Sequence, residues 1–184
     1  MVNGNRNHNM SHPPQMTSLM NHQDPPHDQI FETPFEDPSE MQSEPLRRVQ
    51  VLLITCVDFR LRSEVSAYME SRGLIGHYDE ITLPGASLGV MNEVYPHWQK
   101  AFLEQFRLLK KIHHFDHVLF MDHRDCGMYK LVLGEDHLIS REVEYSCHLS
   151  QMIAIKEHLF QHMPDLTFEG VIMELDGTVT SLLL

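Results

Sequence analysis

The run Val49-Gln50-Val51-Leu52-Leu53-Ile54-Thr55 constrains the fold more than any other part of the chain. It is short and almost continuously apolar, which suits a strand buried on both faces, and such strands belong to parallel sheets covered on both sides. His117 to Met121 repeats the pattern, and Asp79 to Leu83 reads as another strand, stopped by Pro84-Gly85. Helical patterns fall between them. Leu61 to Arg72 reads as a short helix ended by Gly73. Met91 to His113 reads as a long one, with Val94, Trp98, Ala101, Phe102, Leu109 and Ile112 at helical spacing and Gln99, Lys100, Lys110 and Lys111 on the wet side. Pro96 in its first turns suggests that the regular helix starts nearby. Ser140 to Met163 reads as a further helix, stopped at Pro164. Thr167 to Leu175 and Thr178 to Leu184 read as strands joined by Asp176-Gly177, a strong hairpin signal. The expectation is an α/β fold, with a mainly parallel central sheet flanked by helices and a C-terminal antiparallel hairpin strand.

Residues 1–46 differ in kind. They are rich in Asn, His, Pro, Met, Gln and Asp, show no sustained apolar period, and read as a disordered or extended arm. Its histidines (His8, His12, His22, His27) read as part of a solvated polar tail. Residues 47–184 remain for one domain, about 140 residues, a comfortable single-core size.

Composition narrows the function. With 14 Lys+Arg against 26 Asp+Glu, the formal net charge is −12. Such a chain repels nucleic acid and anionic membranes, so neither is an expected partner. No run approaches the roughly 20 apolar residues that cross a bilayer, and residues 1–29 hold no apolar segment of the signal-peptide kind. The expected compartment is the cytoplasm. The three cysteines, Cys56, Cys126 and Cys147, do not suggest a disulfide framework, which leaves metal binding, catalysis or burial.

In open sheets of this kind, ligands sit beyond the carboxyl ends of the strands. Cys56 follows the first strand, His123 follows the third by two residues, and Cys126 shares the loop of His123. Two thiolates and one imidazole are ligands that zinc accepts, and three protein ligands leave a fourth position open, as in catalytic sites. Two thiolates also neutralise the ion, so a bound water is less acidified than with three neutral ligands, and neighbouring acceptors must help to tune it. Asp58 and Arg60, in Cys56-Val57-Asp58-Phe59-Arg60, are the candidates: Asp58 reaches the metal region and Arg60 grips its carboxylate with a two-pronged hydrogen bond. Each piece alone is weak, since a cysteine at a strand end is more often a small buried hydrophobe. The joint pattern is much sharper.

These residues resemble the β-class carbonic anhydrases. That family carries Cys-x-Asp-x-Arg after its first strand and His-x-x-Cys-Gly after a later one; here they are Cys56-Val57-Asp58-Phe59-Arg60 and His123-Arg124-Asp125-Cys126-Gly127. Asp125-Cys126-Gly127-Met128 resembles the small archaeal-type branch, and Gly170 to Gly177 resembles the family's end, so the likeness covers roughly 48–184. It implies a zinc lyase, a carbonate dehydratase, that interconverts CO2 and bicarbonate. One Zn2+ per subunit would be held by Cys56, His123 and Cys126. Zinc-bound hydroxide would be oriented by the catalytic pair Asp58 and Arg60. It also implies a homodimer or a higher homo-oligomer. The chain departs from the family at Leu83-Pro84-Gly85-Ala86-Ser87, where Asn-Ala-Gly-Asn is usual, and at Asp122, where Gly precedes the histidine. Hydrolysis of CS2 or COS on the same scaffold, and a catalytically silent zinc-binding homologue capped by Asp58, are the alternatives.

The remaining residues carry plainer expectations. Asp125 is expected to organise its turn by local hydrogen bonds. Arg124 is expected to be solvated, or to face an anion. Cys147 is expected to be buried. His113, His114 and His117 are expected at a helix end and loop, and Phe59 and Leu88 in either the pocket wall or the core.

Overall fold

The first apolar run becomes strand β1 (Val51–Thr55), buried at all five positions. The computed structural model describes residues 48–183, and the arm expected over 1–46 lies outside them. After β1 come a 3-10 turn (Phe59–Leu61), α1 (Arg62–Ser71), β2 (Tyr78–Thr82), α2 (Ser87–Met91), α3 (Pro96–His113) and β3 (His117–His123). Then follow α4 (Gly127–Leu133), a second 3-10 turn (Glu135–Leu138), α5 (Arg141–His162), β4 (Thr167–Met173) and β5 (Val179–Leu183).

The strands form one five-stranded sheet in the order β2-β1-β3-β4-β5. The β1–β2, β1–β3 and β3–β4 pairs are parallel, and β5 returns antiparallel to β4. This is the expected mainly parallel sheet with a terminal hairpin strand. Alternation along the strands divides the core between two faces. Leu52, Ile54, Val118, Phe120, Phe168 and Ile172 pack with Val90, Phe102, Phe106, Met152, Ile155 and Leu159 from α2, α3 and α5. On the other face Val51, Leu53, Leu119, Met121, Val171 and Met173 meet Val65 and Met69 of α1. Burying a side chain of this size contributes about 1.5–3 kcal/mol, so both layers hold the sheet between helices.

The helix expected over 91–113 is interrupted. Asn92 is extended (φ −75°, ψ 144°) and α3 begins at Pro96. Proline has no N–H to give the preceding turn and suits the first helical position. Asn92 closes the break by donating Nδ2–H to the Gly89 carbonyl (2.8 Å) and accepting the Tyr95 amide on Oδ1 (2.8 Å). Val94, expected inside, therefore lies in the break and is exposed, while Leu103 and Phe106 are the buried residues of α3 beside Phe102. Helix α4 carried no periodic signal strong enough to be expected, because it is only seven residues long.

Register places the site. Thr55 pairs with Met121, so Cys56 and the His123-Cys126 turn leave the same end of neighbouring strands, where parallel sheets hold their ligands.

Candidate metal centre

Cys56 is fixed from three sides at the end of β1. Arg62 Nη2 donates to its carbonyl (2.6 Å), the Gly85 amide donates to its sulfur (3.3 Å), and its side chain is buried against Leu88, Cys126, Met128 and Tyr129. The Gly85 loop comes this close because Gly85 takes φ +80°, which residues with a Cβ rarely adopt, and a Cβ there would stand 2.8 Å from Met128 Cγ.

His123 ends β3 and is 2% exposed. Its Nδ1 lies 2.8 Å from the Arg124 carbonyl, which can only accept, so Nδ1 carries the hydrogen and Nε2 presents its lone pair. That Nε2 is buried with no hydrogen-bond partner. A buried imidazole nitrogen without a partner calls for an explanation, and the surroundings supply one. Cys126, at the head of α4, places its sulfur 3.9 Å from that of Cys56, and the ligand atoms of Cys56, His123 and Cys126 lie within 4.8 Å of one another. Zn–S bonds of about 2.3 Å at tetrahedral angles put two sulfurs about 3.8 Å apart. The donor set and the spacing both fit a zinc-sized ion.

Protonation follows the same geometry. Cys56 is pulled from the ordinary 9.0 to about 4, first by the Cys126 thiol, against the effect of burial, with His123 and the Gly85 amide adding to it. Cys126 is pushed the other way, by the Cys56 sulfur beside it and by burial. Burial opposes a charge on His123, yet the Cys56 sulfur raises its pKa. The three groups compete for protons that a divalent cation would displace.

Asp58 and Arg60 stand where the motif places them. Asp58 caps the first 3-10 turn, accepting the Arg60 amide on Oδ1 (3.0 Å). Arg60 Nε reaches both Asp58 oxygens (3.0 and 3.2 Å) and Nη2 reaches Oδ2 (2.7 Å). The guanidinium holds the Asp58 carboxyl at about 2, and Oδ2 lies 3.8 Å from His123 Nε2.

Several other expectations change. Asp125 does more than organise its own turn: its carboxylate accepts Arg60 Nη1 (2.9 Å) and pairs with Lys130 (2.5 Å), so it links the two motifs. Arg124 does not sit in solvent but is turned toward carboxylates of the chain itself. Its side chain, 11% exposed, donates Nη1–H to Glu144 (3.0 Å) and to the Arg141 carbonyl (2.8 Å). Phe59 is 85% exposed and so lies outside the core, whereas Leu88 is buried beside the cysteines. Cys147 is half-buried against the same cluster. His113 pairs with Asp79 (2.6 Å), His114 caps α3 and His117 opens β3, as a helix end and loop require.

Asp122 points away from His123, because consecutive strand residues face opposite sides. Its carboxylate is fully buried and accepts the Ser87 amide (3.0 Å), Ser87 Oγ (2.5 Å), Tyr129 Oη (2.8 Å) and His148 Nδ1 (2.9 Å). Burial pushes the Tyr129 phenol well above its ordinary range, so it remains a donor. Sequence reading missed Glu144, Lys130, Ser87, Tyr129 and His148. One signal was present: Glu144 and His148 stand in line with Met152, Ile155 and Leu159 on the buried stripe of α5, and polar residues on an apolar stripe have partners.

Residues 47–140 match the model of a family described as "Putative carbonic anhydrase". The chain is 35% identical to an uncharacterized protein of Rickettsia conorii over 134 residues, which covers 73% of this chain and 72% of that one. It is 36% identical to an uncharacterized protein of Rickettsia bellii over 134 residues, 73% of this chain and 82% of that one. Among solved structures, the β-carbonic anhydrase CafA of Aspergillus fumigatus superposes with a TM-score of 0.50 at 14% identity, covering 73% of this chain and 76% of that one. At that identity the likeness shows a shared fold.

Proposed function

Because the chain belongs to this carbonic anhydrase family, we propose that it is a zinc-dependent enzyme that hydrates CO2 reversibly to bicarbonate. The observation that carries the reading is the convergence of Cys56, His123 and Cys126, with the buried Nε2 of His123 lacking a hydrogen-bond partner. Bound there, Zn2+ would supply Lewis acidity able to bring a water's pKa toward about 7 and so a hydroxide nucleophile near neutral pH.

The chain's own residues do the rest. Cys56 and Cys126 give thiolates and His123 a neutral imidazole whose tautomer the Arg124 carbonyl sets. Asp58 accepts a hydrogen bond from the attacking hydroxyl group and turns an oxygen lone pair toward the carbon of CO2. Attack there would form the new C–O bond while one C=O π pair moves onto oxygen, giving bicarbonate. Both Asp58 oxygens are held by Arg60, which favours a carboxylate kept as an acceptor beside the centre over one that caps the ion. Solvent takes the proton released in regenerating the nucleophile.

The same reading makes the partner a small gas molecule and the protein a cytoplasmic homodimer or larger homo-oligomer. No helix of the described residues is long and apolar enough to cross a membrane.

Zinc quantification and stopped-flow CO2 hydration on one preparation test the proposal. It expects one zinc per chain and hydration that disappears on chelation. Arg60→Ala should keep the zinc and lose turnover. Consumption of CS2 or COS with CO2 hydration no faster than that of free zinc would replace the substrate, and full zinc without any turnover would leave a silent binding site.

A further inference from the structure

Asp58 and Arg60 lie on one 3-10 turn, two residues apart. Their mutual hydrogen bonds therefore fix each relative to the other, not relative to the turn that carries His123 and Cys126. A pair so close in sequence can move as a unit, and the Arg60 side chain is 35% exposed.

Asp125 supplies the missing link. It is one of the few non-glycine residues among those described with positive φ, at +56°, a conformation that costs an ordinary L-residue about 1–2 kcal/mol. In that conformation its carbonyl accepts Arg60 Nη2 (3.0 Å) while its carboxylate accepts Arg60 Nη1 (2.9 Å). Its second carboxylate oxygen pairs with Lys130 (2.5 Å), and its own amide donates to Glu144 of α5 (2.7 Å). Every polar atom of Asp125 is engaged, and Arg60 is stretched between two carboxylates from two different strand ends.

We propose that Asp125 is a positioning residue that moors Arg60, and through it Asp58, to the turn bearing His123 and Cys126. The consequence for turnover rests on the reading of Asp58 and Arg60 as the catalytic pair; the mooring itself does not. Charge-assisted bonds of this geometry are the strong ones, and residues that orient a metal site from outside its ligands are worth about 10- to 100-fold in activity.

Asp125→Gly is the decisive variant. Glycine accepts the positive φ more readily than aspartate, so a residue serving only the turn is replaced without harm. The zinc-loaded, 15N-labelled protein gives the first readout: the Arg60 Nη1–H resonance, whose acceptor is the Asp125 carboxylate, assigned by its loss in Arg60→Lys. Its solvent exchange should be about tenfold faster in Asp125→Gly, with zinc stoichiometry unchanged. In CO2 hydration kcat should fall about tenfold with KM unaltered. Asp125→Asn, which tolerates the same backbone and keeps one acceptor oxygen, should restore part of both.

Unchanged Arg60 exchange in Asp125→Gly overturns the mooring, as does loss of zinc with Arg60 undisturbed. If Asp125→Gly does not fold, Asp125→Asn decides by the same exchange measurement, faster exchange supporting the proposal and wild-type exchange overturning it. If the wild-type protein hydrates no CO2, the functional reading falls while Arg60 exchange still decides the mooring.

Discussion

The Gly85 amide donates to the Cys56 sulfur across 3.3 Å, and only a residue without a side chain lets that amide approach. A Cβ on Gly85 would stand 2.8 Å from Met128 Cγ and 3.0 Å from Met128 Cβ, at φ +80°. Gly85→Ala is therefore expected to destabilise the fold by about 1–3 kcal/mol through strain and overpacking. It should also raise the Cys56 thiol pKa by withdrawing a donor. Urea unfolding measures the first effect and thiolate absorbance the second; wild-type values for both would show that the loop relaxes freely.

Cys126→Ser removes one of two thiolates and leaves a hydroxyl that stays protonated at neutral pH. Zinc content is expected to fall from one per chain to near zero after dialysis, with activity at background. Metal analysis of the purified variant checks this, and full occupancy would take Cys126 out of the ligand set.

Asp122→Ala deprives the Ser87 amide, Ser87 Oγ, Tyr129 Oη and His148 Nδ1 of a shared acceptor inside the core. Each buried group left unsatisfied costs about 1–3 kcal/mol, so a loss of at least about 3 kcal/mol is expected. Chemical denaturation gives the number, and a change below about 1 kcal/mol would mean that these groups find other partners.

The carboxyl of Asp58 is lowered from the ordinary 3.8 to about 2, first by the Arg60 side chain, with burial opposing and the Arg60 amide and His123 adding. A depressed carboxyl contributes stability that is complete above the unfolded value and is lost as pH falls through the folded one. The window for Asp58 thus runs from about pH 4 down to about pH 2. Asp58→Asn does not titrate, so its stability difference from wild type should be constant above this window and shrink within it. Paired urea titrations at stepped pH follow the difference, and one that stays flat down to pH 2 would assign Asp58 an ordinary pKa.

The strands and the convergence of Cys56, His123 and Cys126 were legible in the sequence for one reason. Unbroken apolar runs demand two covered faces, and chemically distinctive residues sat just past their ends. Asp122 shows where linear reading misleads. It adjoins His123 in sequence and so looks like part of the metal environment, but strand alternation turns it toward Ser87, Tyr129 and His148. Glu144 was hidden for a different reason: which face of α5 meets the His123-Cys126 turn depends on how the helix is rotated on the sheet, and no local pattern encodes that rotation. The break before α3 lay in between. Pro96 announced it, but the paired hydrogen bonds of Asn92 that complete it need the folded backbone.

Cys56 and Cys126 are 70 positions apart, and only the parallel docking of β1 against β3 brings their sulfurs together. An unfolded chain can offer an ion His123 and Cys126 from one short stretch, but closing so long a loop to reach Cys56 carries an entropic penalty that sheet assembly alone can offset. Tight loading of a metal ion would therefore come late in folding. Once seated, an ion would rivet two loops whose strands lie at the centre of the sheet, and a chelator that withdraws it would loosen both strand ends at once.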